Sequence, residues 1–165
     1  MIALPYSIQT VLCQPSATIV DYHCGNLFFS KYLQSKGFTV TGLCKDPTLY
    51  QKTAQKYGIT LKTRDQYREI PDGVVSVYTL NNGDPHTALL DMRSLEANWY
   101  IFEVVTALAA PLQLKGVCNK ANQLTTPFKG YSYTEIILLL DTTGFRILEA
   151  QHKGRTLVIK AKRKL

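Results

Sequence analysis

The stretch Asp21-Tyr22-His23-Cys24-Gly25-Asn26 gathers a carboxylate, an imidazole, a thiol and an amide directly after a β-branched run. An acid closing a strand, then Gly25 and Asn26, then an apolar helical pattern is suited to wrap a tight turn around a cofactor. Glycine lets a ligand approach the backbone, and the helix start offers unpaired N–H donors. Other reactive groups are scattered. His86 follows Asp84 closely enough for general-base chemistry, although a surface histidine at a helix start is the better reading. His23, His86 and His152 are the only histidines, and none sits near a Cys or an acid at metal-ligand spacing, so no metal site is expected. No G-x-S-x-G nucleophile turn and no G-x-x-x-x-G-K-[ST] phosphate loop occurs. Glu103 lies inside an apolar strand pattern, where a carboxylate must be paired or must face a pocket. Tyr22, Tyr78, Tyr131 and Tyr133 fall near strand ends or a long loop. They either line a pocket there or are partly buried with the hydroxyl at water.

The elements that must position these groups alternate. Ala17–Cys24 reads as a buried strand, and Leu27, Phe28, Tyr32 and Leu33 recur at helical spacing up to a stop at Gly37. Phe38–Cys44 is a second strand, Asp46-Pro47 opens a helix that Gly58 closes, and Ile59–Thr63 is a third strand. Gly73–Leu80 is a fourth strand, Pro85–Ala97 a helix and Asn98–Leu108 a fifth strand. Residues 109–131 show no period and form a long functional loop or lid. Ser132 and Glu135 mark a capping box before an apolar helix that ends at Gly144. The last segments read as two strands around Lys153-Gly154, a closing hairpin. This order predicts a Rossmann-like α/β three-layer sandwich with a mostly parallel seven-stranded sheet and an antiparallel C-terminal hairpin.

Bulk properties bound the function. With 165 residues the chain has room for one domain, 1–165, led by an irregular segment 1–16. Hydrophobic residues make up 45% and charged residues 19%, a globular balance. No apolar run is long enough to span a bilayer, so no membrane partner is expected. The first thirty residues lack Lys and Arg, which argues against a secretory or transit signal. Cys13, Cys24, Cys44 and Cys118 form no CxxC pair. They read as reduced thiols in a cytoplasmic protein. The net charge is +7, concentrated in part in the basic tail 160–165. That tail points to an anionic or nucleic-acid partner, or to a protein partner, against the plainer reading of a solvated end.

Three stretches in this order resemble the class I S-adenosylmethionine-dependent methyltransferases: "IVDYHCGNLFFSKYL", "GFTVTGLCKDP" and "YSYTEIILLLDTTGF". The resemblance covers the chain from about Ala17. It implies S-adenosylmethionine as cofactor, with Asp21, His23, Gly25, Asn26, Cys44 and Asp65 at the cofactor-binding positions. Asp65 would accept from the adenine amino group, or else it is a surface-turn aspartate. The departures are specific. His23 and Leu27 stand where the family's turn has glycine. Cys44 stands where a carboxylate usually accepts both ribose hydroxyls, and a thiol cannot replace it. Asp46 is read as a helix cap rather than as a substitute. "LNNG" after the fourth strand lacks the acid and histidine common in small-molecule methyltransferases. The sequence therefore predicts a methyltransferase-like protein that transfers a methyl group to an unknown acceptor. The alternative is an inactive pseudoenzyme scaffold in an assembly containing nucleic acid. Leu27 is expected to project into the cofactor space.

Overall fold

The computed structural model describes residues 17–25, 27–107 and 129–165. The expected lead-in 1–16 and nearly all of the expected loop 109–131 therefore lie outside the described residues. Seven strands form one sheet: β1 (Thr18–Tyr22), β2 (Thr39–Leu43), β3 (Thr60–Lys62), β4 (Gly73–Val77), β5 (Trp99–Val105), β6 (Phe145–Lys153) and β7 (Thr156–Arg163). Their order across the sheet is β3-β2-β1-β4-β5-β7-β6. The first five run parallel, and β7 lies antiparallel between β5 and β6. The strand order reverses direction between β1 and β4, and open α/β sheets bind their ligands at such a switch point, outside the carboxyl ends of the strands.

Side-chain alternation along the strands builds the layers. Val20, Val74, Tyr100 and Phe102 face one way, into a core closed by α3 (Pro85–Arg93) and α4 (Tyr133–Thr142). Phe145 meets the rings of Tyr100 and Phe102 edge-on at 5.0 and 5.3 Å. Ile19, Val75 and Ile101 face the other way, against Phe29 and Leu33 of α1 (Phe28–Ser35). α2 (Gln51–Tyr57) covers the β2–β3 end through Ala54. The predicted three-layer architecture, strand count and antiparallel hairpin are all present.

Local chemistry explains most boundaries. Asp46 caps a short 3₁₀ turn over Pro47–Tyr50 that leads into α2, and its carboxylate accepts from Thr48 N at 3.0 Å. Asp84 caps α3 in the same way, accepting from His86 N at 3.0 Å. Ser132 accepts from Glu135 N at 3.2 Å to start α4. Several elements are shorter than the sequence suggests, β4 and α3 among them. β4 stops at Val77 because Tyr78 turns left-handed (φ 61°) into a 3₁₀ turn. α3 stops at Arg93 because Glu96 is left-handed (φ 57°), which returns Leu95 and Ala97 to the core.

Candidate functional site

The turn after β1 keeps a backbone that its sequence does not favour. His23, Gly25 and Leu27 are all left-handed, with φ of 56°, 53° and 67°. That conformation costs a non-glycine residue about 1–2 kcal/mol. The alternation of left-handed residues is what a glycine-rich turn provides, and here it persists without two of the glycines. A side-chain atom placed on Gly25 would meet nothing within 4 Å, so the turn leaves open space where a ligand could approach. Asn26, between these residues, lies outside the described residues.

The structure corrects the expectation for Leu27. Its side chain does not project into the cofactor space. It is fully buried among Cys24, Cys44, Ala54 and Ile59, under α2. The Leu27 N–H donates to Cys24 O at 3.1 Å, and its carbonyl receives the first helical bond from Lys31 N at 2.9 Å. Burial of the leucine against α2 therefore sets the direction of this residue and offsets the backbone strain.

A cleft of about 300 Å³ opens at the carboxyl ends of β1, β2 and β3. Tyr22 and His23 line it from β1, Cys44 and Lys45 from β2, and Thr63, Arg64 and Asp65 from β3; Asp91 reaches it from α3. The structure thus brings His23, Cys44 and Asp65 to one cleft. Asp21 and Gly25 are not in its lining. The Asp21 carboxylate is buried one residue behind, where it accepts from the Ser30 hydroxyl at 2.5 Å. Burial pushes its pKa up to about 7 against the opposing effect of the Ser30 bond.

The cleft floor is a hydrogen-bonded chain that the sequence did not reveal. Tyr22 donates to Asp91 Oδ2 at 2.5 Å, Arg64 Nε donates to Asp91 Oδ1 at 2.9 Å, and Arg64 also donates to Ser94 Oγ at 2.7 Å. Burial, then the bond to Asp91, raises the Tyr22 phenol well above its usual range, so it is a fixed donor. The ring of His23 stacks on Tyr22 with centroids 4.4 Å apart. Desolvation against the cleft wall, followed by the charge of Lys45, holds the imidazole below its usual pKa. His23 is therefore neutral near pH 7 and can accept a proton. Cys44 is buried at the cleft edge, and desolvation raises its thiol. It is not a nucleophile in this state. Arg64 lies two residues after the end of β3, beside Asp65, so its neighbour was a signal. Asp91 has no local signal, because only the packing of α3 brings it to the cleft.

Other candidates resolve into structural roles. His86 is exposed at the start of α3, behind its capping Asp84. Asn81, in the "LNNG" step, is 1% exposed. Its side chain accepts from Val105 N at 2.9 Å and donates to Val105 O at 3.1 Å and Lys129 O at 2.6 Å. Tyr131 donates to Leu80 O at 2.6 Å. Glu103 is buried in β5, and Tyr78 OH lies 3.4 Å from its carboxylate.

The left-handed turn makes a stability prediction. His23→Gly relieves about 1–2 kcal/mol of backbone strain but forfeits about 0.5–1.5 kcal/mol of ring stacking, so it should stay within about 1 kcal/mol of the parent. His23→Val, with a β-branched side chain at positive φ, should fall about 2 kcal/mol below the glycine variant. Urea denaturation of both variants measures the difference. Equal stabilities would show that residue 23 is not left-handed.

No family model and no curated protein matches the chain. Solved structures do match along nearly its whole length. The chain is similar to the magnesium protoporphyrin IX methyltransferase of Synechocystis with bound S-adenosylhomocysteine, at 19% identity over 95% of this chain and 78% of that one, with a TM-score of 0.67. It is also similar to the 1,6-didemethyltoxoflavin-N1-methyltransferase of Burkholderia thailandensis, crystallised with the same product, at 15% identity over 96% and 76% and a TM-score of 0.68. A S-adenosylmethionine-dependent methyltransferase of Methanosarcina mazei matches at 17% identity over 97% and 98%, with a TM-score of 0.69. The fold is that of the S-adenosylmethionine-dependent methyltransferases.

Proposed function

We propose that the chain is a methyltransferase-like protein that holds S-adenosylmethionine at the carboxyl ends of β1–β3 and passes its methyl group to an acceptor. The observation that carries this reading is the retained left-handed triplet His23, Gly25 and Leu27. The surrounding packing keeps the shape of a cofactor turn against the preference of two of its residues, with open space at Gly25. When bound, the cofactor supplies a methyl group on a sulfonium sulfur, activated toward a nucleophile. The Gly25 turn and Asp65 are suited to hold it. The Tyr22–Asp91–Arg64 chain braces the cleft floor, and neutral His23 can take up a proton there. Catalysis of this kind rests chiefly on alignment and needs no dedicated base. The compartment suggested is cytoplasmic: Cys24 and Cys44 are free thiols, and no helix among the described residues is long and apolar enough to cross a membrane.

A second reading, a pseudoenzyme that binds partners without transferring methyl groups, is favoured by Cys44. The end of β2 offers a buried thiol where a ribose would be met by a carboxylate, and Asp46 is occupied as a helix cap. Calorimetric titration with S-adenosylmethionine and S-adenosylhomocysteine tests both readings. A micromolar constant supports the cofactor site, and no heat at millimolar ligand rejects it. Cys44→Asp should then tighten binding by about tenfold or more, because a hydrogen bond to a charged group contributes about 1.5–3 kcal/mol. Unchanged affinity with the fold intact would place the ribose elsewhere.

A further inference from the structure

Cys24 and Cys44 are free thiols that meet beside the cofactor turn. The Cys24 N–H donates to Leu43 O and the Cys44 N–H to Lys62 O, both at 3.1 Å. The β1–β2 pairing thus runs on past Tyr22 and seats Cys24 next to Cys44, on chains about 4.7–4.9 Å apart. Both side chains turn to one face, where they pack with Leu27, Ala54 and Ile59. Gly42 makes room for them. A side-chain carbon placed on it would meet Cys24 Sγ at 2.8 Å and Cys24 Cβ at 3.2 Å. Residues 42 and 44 share a strand face, so the Cys24 side chain lies over β2, toward Cys44. The two thiols share a hydrogen bond, with Cys24 as the donor. A disulfide needs Cα atoms about 4.4–6.8 Å apart and converging side chains, and neighbours across a ladder whose sulfurs already touch are placed for one.

The two thiols are not equivalent. Cys44 lines the cleft, whereas Cys24 is not in its lining. Burial raises the pKa of both, and the shared bond opposes that rise at Cys44 and adds to it at Cys24. Cys44 is therefore the thiol that a small reagent reaches and the easier one to ionise, with Cys24 directly behind it.

We infer that Cys24 and Cys44 form a reversible disulfide by exchange with a small aliphatic disulfide that enters the cleft. The Cys44 thiolate attacks one sulfur of the reagent and expels a thiolate, which leaves a mixed disulfide. The Cys24 thiolate then attacks the Cys44 sulfur and expels the second thiolate. The two cysteines are oxidised, the reagent is reduced to two thiols, and the cysteine protons pass to those products. Burial keeps both cysteines protonated at neutral pH, so exchange runs slowly, through a small thiolate fraction. The bond closes a loop that contains the whole cofactor turn and α1, and it draws the Cys44 sulfur away from the cleft toward Cys24. It acts as a redox clamp between the turn and the end of β2. The geometry belongs to these two elements alone, so the inference stands whether or not the cleft binds S-adenosylmethionine.

The full chain carrying Cys13→Ser and Cys118→Ser keeps only this pair of cysteines. Incubation with bis(hydroxyethyl) disulfide at about pH 8, followed by alkylation, digestion and mass spectrometry, tests the inference. The intact chain should lose the mass of two hydrogen atoms and yield peptides joined through Cys24 and Cys44. Its Tm should rise by about 5 °C or more, and dithiothreitol should reverse the rise. A further Cys24→Ser change should arrest the reaction at a mixed disulfide on Cys44. A further Cys44→Ser change should instead slow thiol loss by about tenfold or more, because Cys24 is not in the cleft lining. The inference is overturned if the folded chain keeps both thiols under conditions in which the urea-unfolded chain loses them. It is also overturned if the mixed disulfide accumulates without the internal cross-link, if the cross-link joins two chains, or if the linked chain melts below the reduced one.

Discussion

Replacing Asn81 by alanine is expected to lower the stability of the chain by about 2–3 kcal/mol. The amide is buried in the turn after β4 and satisfies the N–H and C=O of Val105 and the carbonyl of Lys129. Truncation leaves the Val105 N–H and the Lys129 carbonyl without this partner, while the Val105 carbonyl keeps the Tyr131 N–H at 3.2 Å; Val105 is itself 1% exposed. An unsatisfied buried group costs about 1–3 kcal/mol, less where water can re-enter, as it can at Lys129. Asn81→Asp separates hydrogen bonding from volume. The carboxylate still accepts from Val105 N but faces two carbonyl oxygens with no proton to give. It should be at least as destabilising at neutral pH and recover as the acid is protonated. Urea midpoints measure both variants. Exchange of the Ala107 and Lys129 amides, bonded to Tyr131 O and Asn81 O, should accelerate in each. A loss under about 1 kcal/mol would mean that the Asn81 contacts are not made in solution.

The second large effect concerns pH. The folded-state pKa of Asp21 is raised from 3.8 to about 7 by burial, so the folded chain binds a proton more tightly than the unfolded one. Its contribution is greatest below about pH 4 and falls away as pH rises through about 7. Above that range the ionised, buried carboxylate costs roughly 4 kcal/mol relative to its protonated form. Asp21→Asn should therefore flatten the fall in stability between about pH 4 and 7 and make the variant more stable than the parent at about pH 8. The asparagine carbonyl can still accept from Ser30, so the local geometry has a way to persist. Chemical denaturation at several pH values checks the prediction. Parallel curves for parent and variant would show that Asp21 ionises normally in the folded chain.

Much of the fold was legible because strand and helix signals alternate cleanly. Gly37, Gly58 and Gly144 close helices at positive φ, and Asp46, Asp84 and Ser132 cap the elements that they precede. Local chemistry settles such points, so a sequence displays them. The site was only half legible. His23, Cys44 and Asp65 could be placed because the family resemblance puts them after the first three strands, and the structure brings them to one cleft. Asp91 could not, because a carboxylate in the middle of an amphipathic helix looks like any solvated residue until α3 docks. The direction of the Leu27 side chain was misread for a different reason. Intrinsic preference disfavours left-handed histidine and leucine, and tertiary packing overrules it.

That packing makes the departures at the two turn positions unequal in reversibility. Glycine at residue 23 would exchange strain for lost stacking at nearly no net cost, so this step runs in either direction. Glycine at residue 27 would gain about 1–2 kcal/mol from the backbone but empty a fully buried leucine site between α2 and the sheet. A large-to-small change of that kind costs about 2–5 kcal/mol. Leu27 therefore acts as a ratchet. With Cys24, Cys44, Ala54 and Ile59 closed around it, a change to glycine requires those neighbours to enlarge first, and the order of substitutions, not just their sum, decides which turns this scaffold can reach.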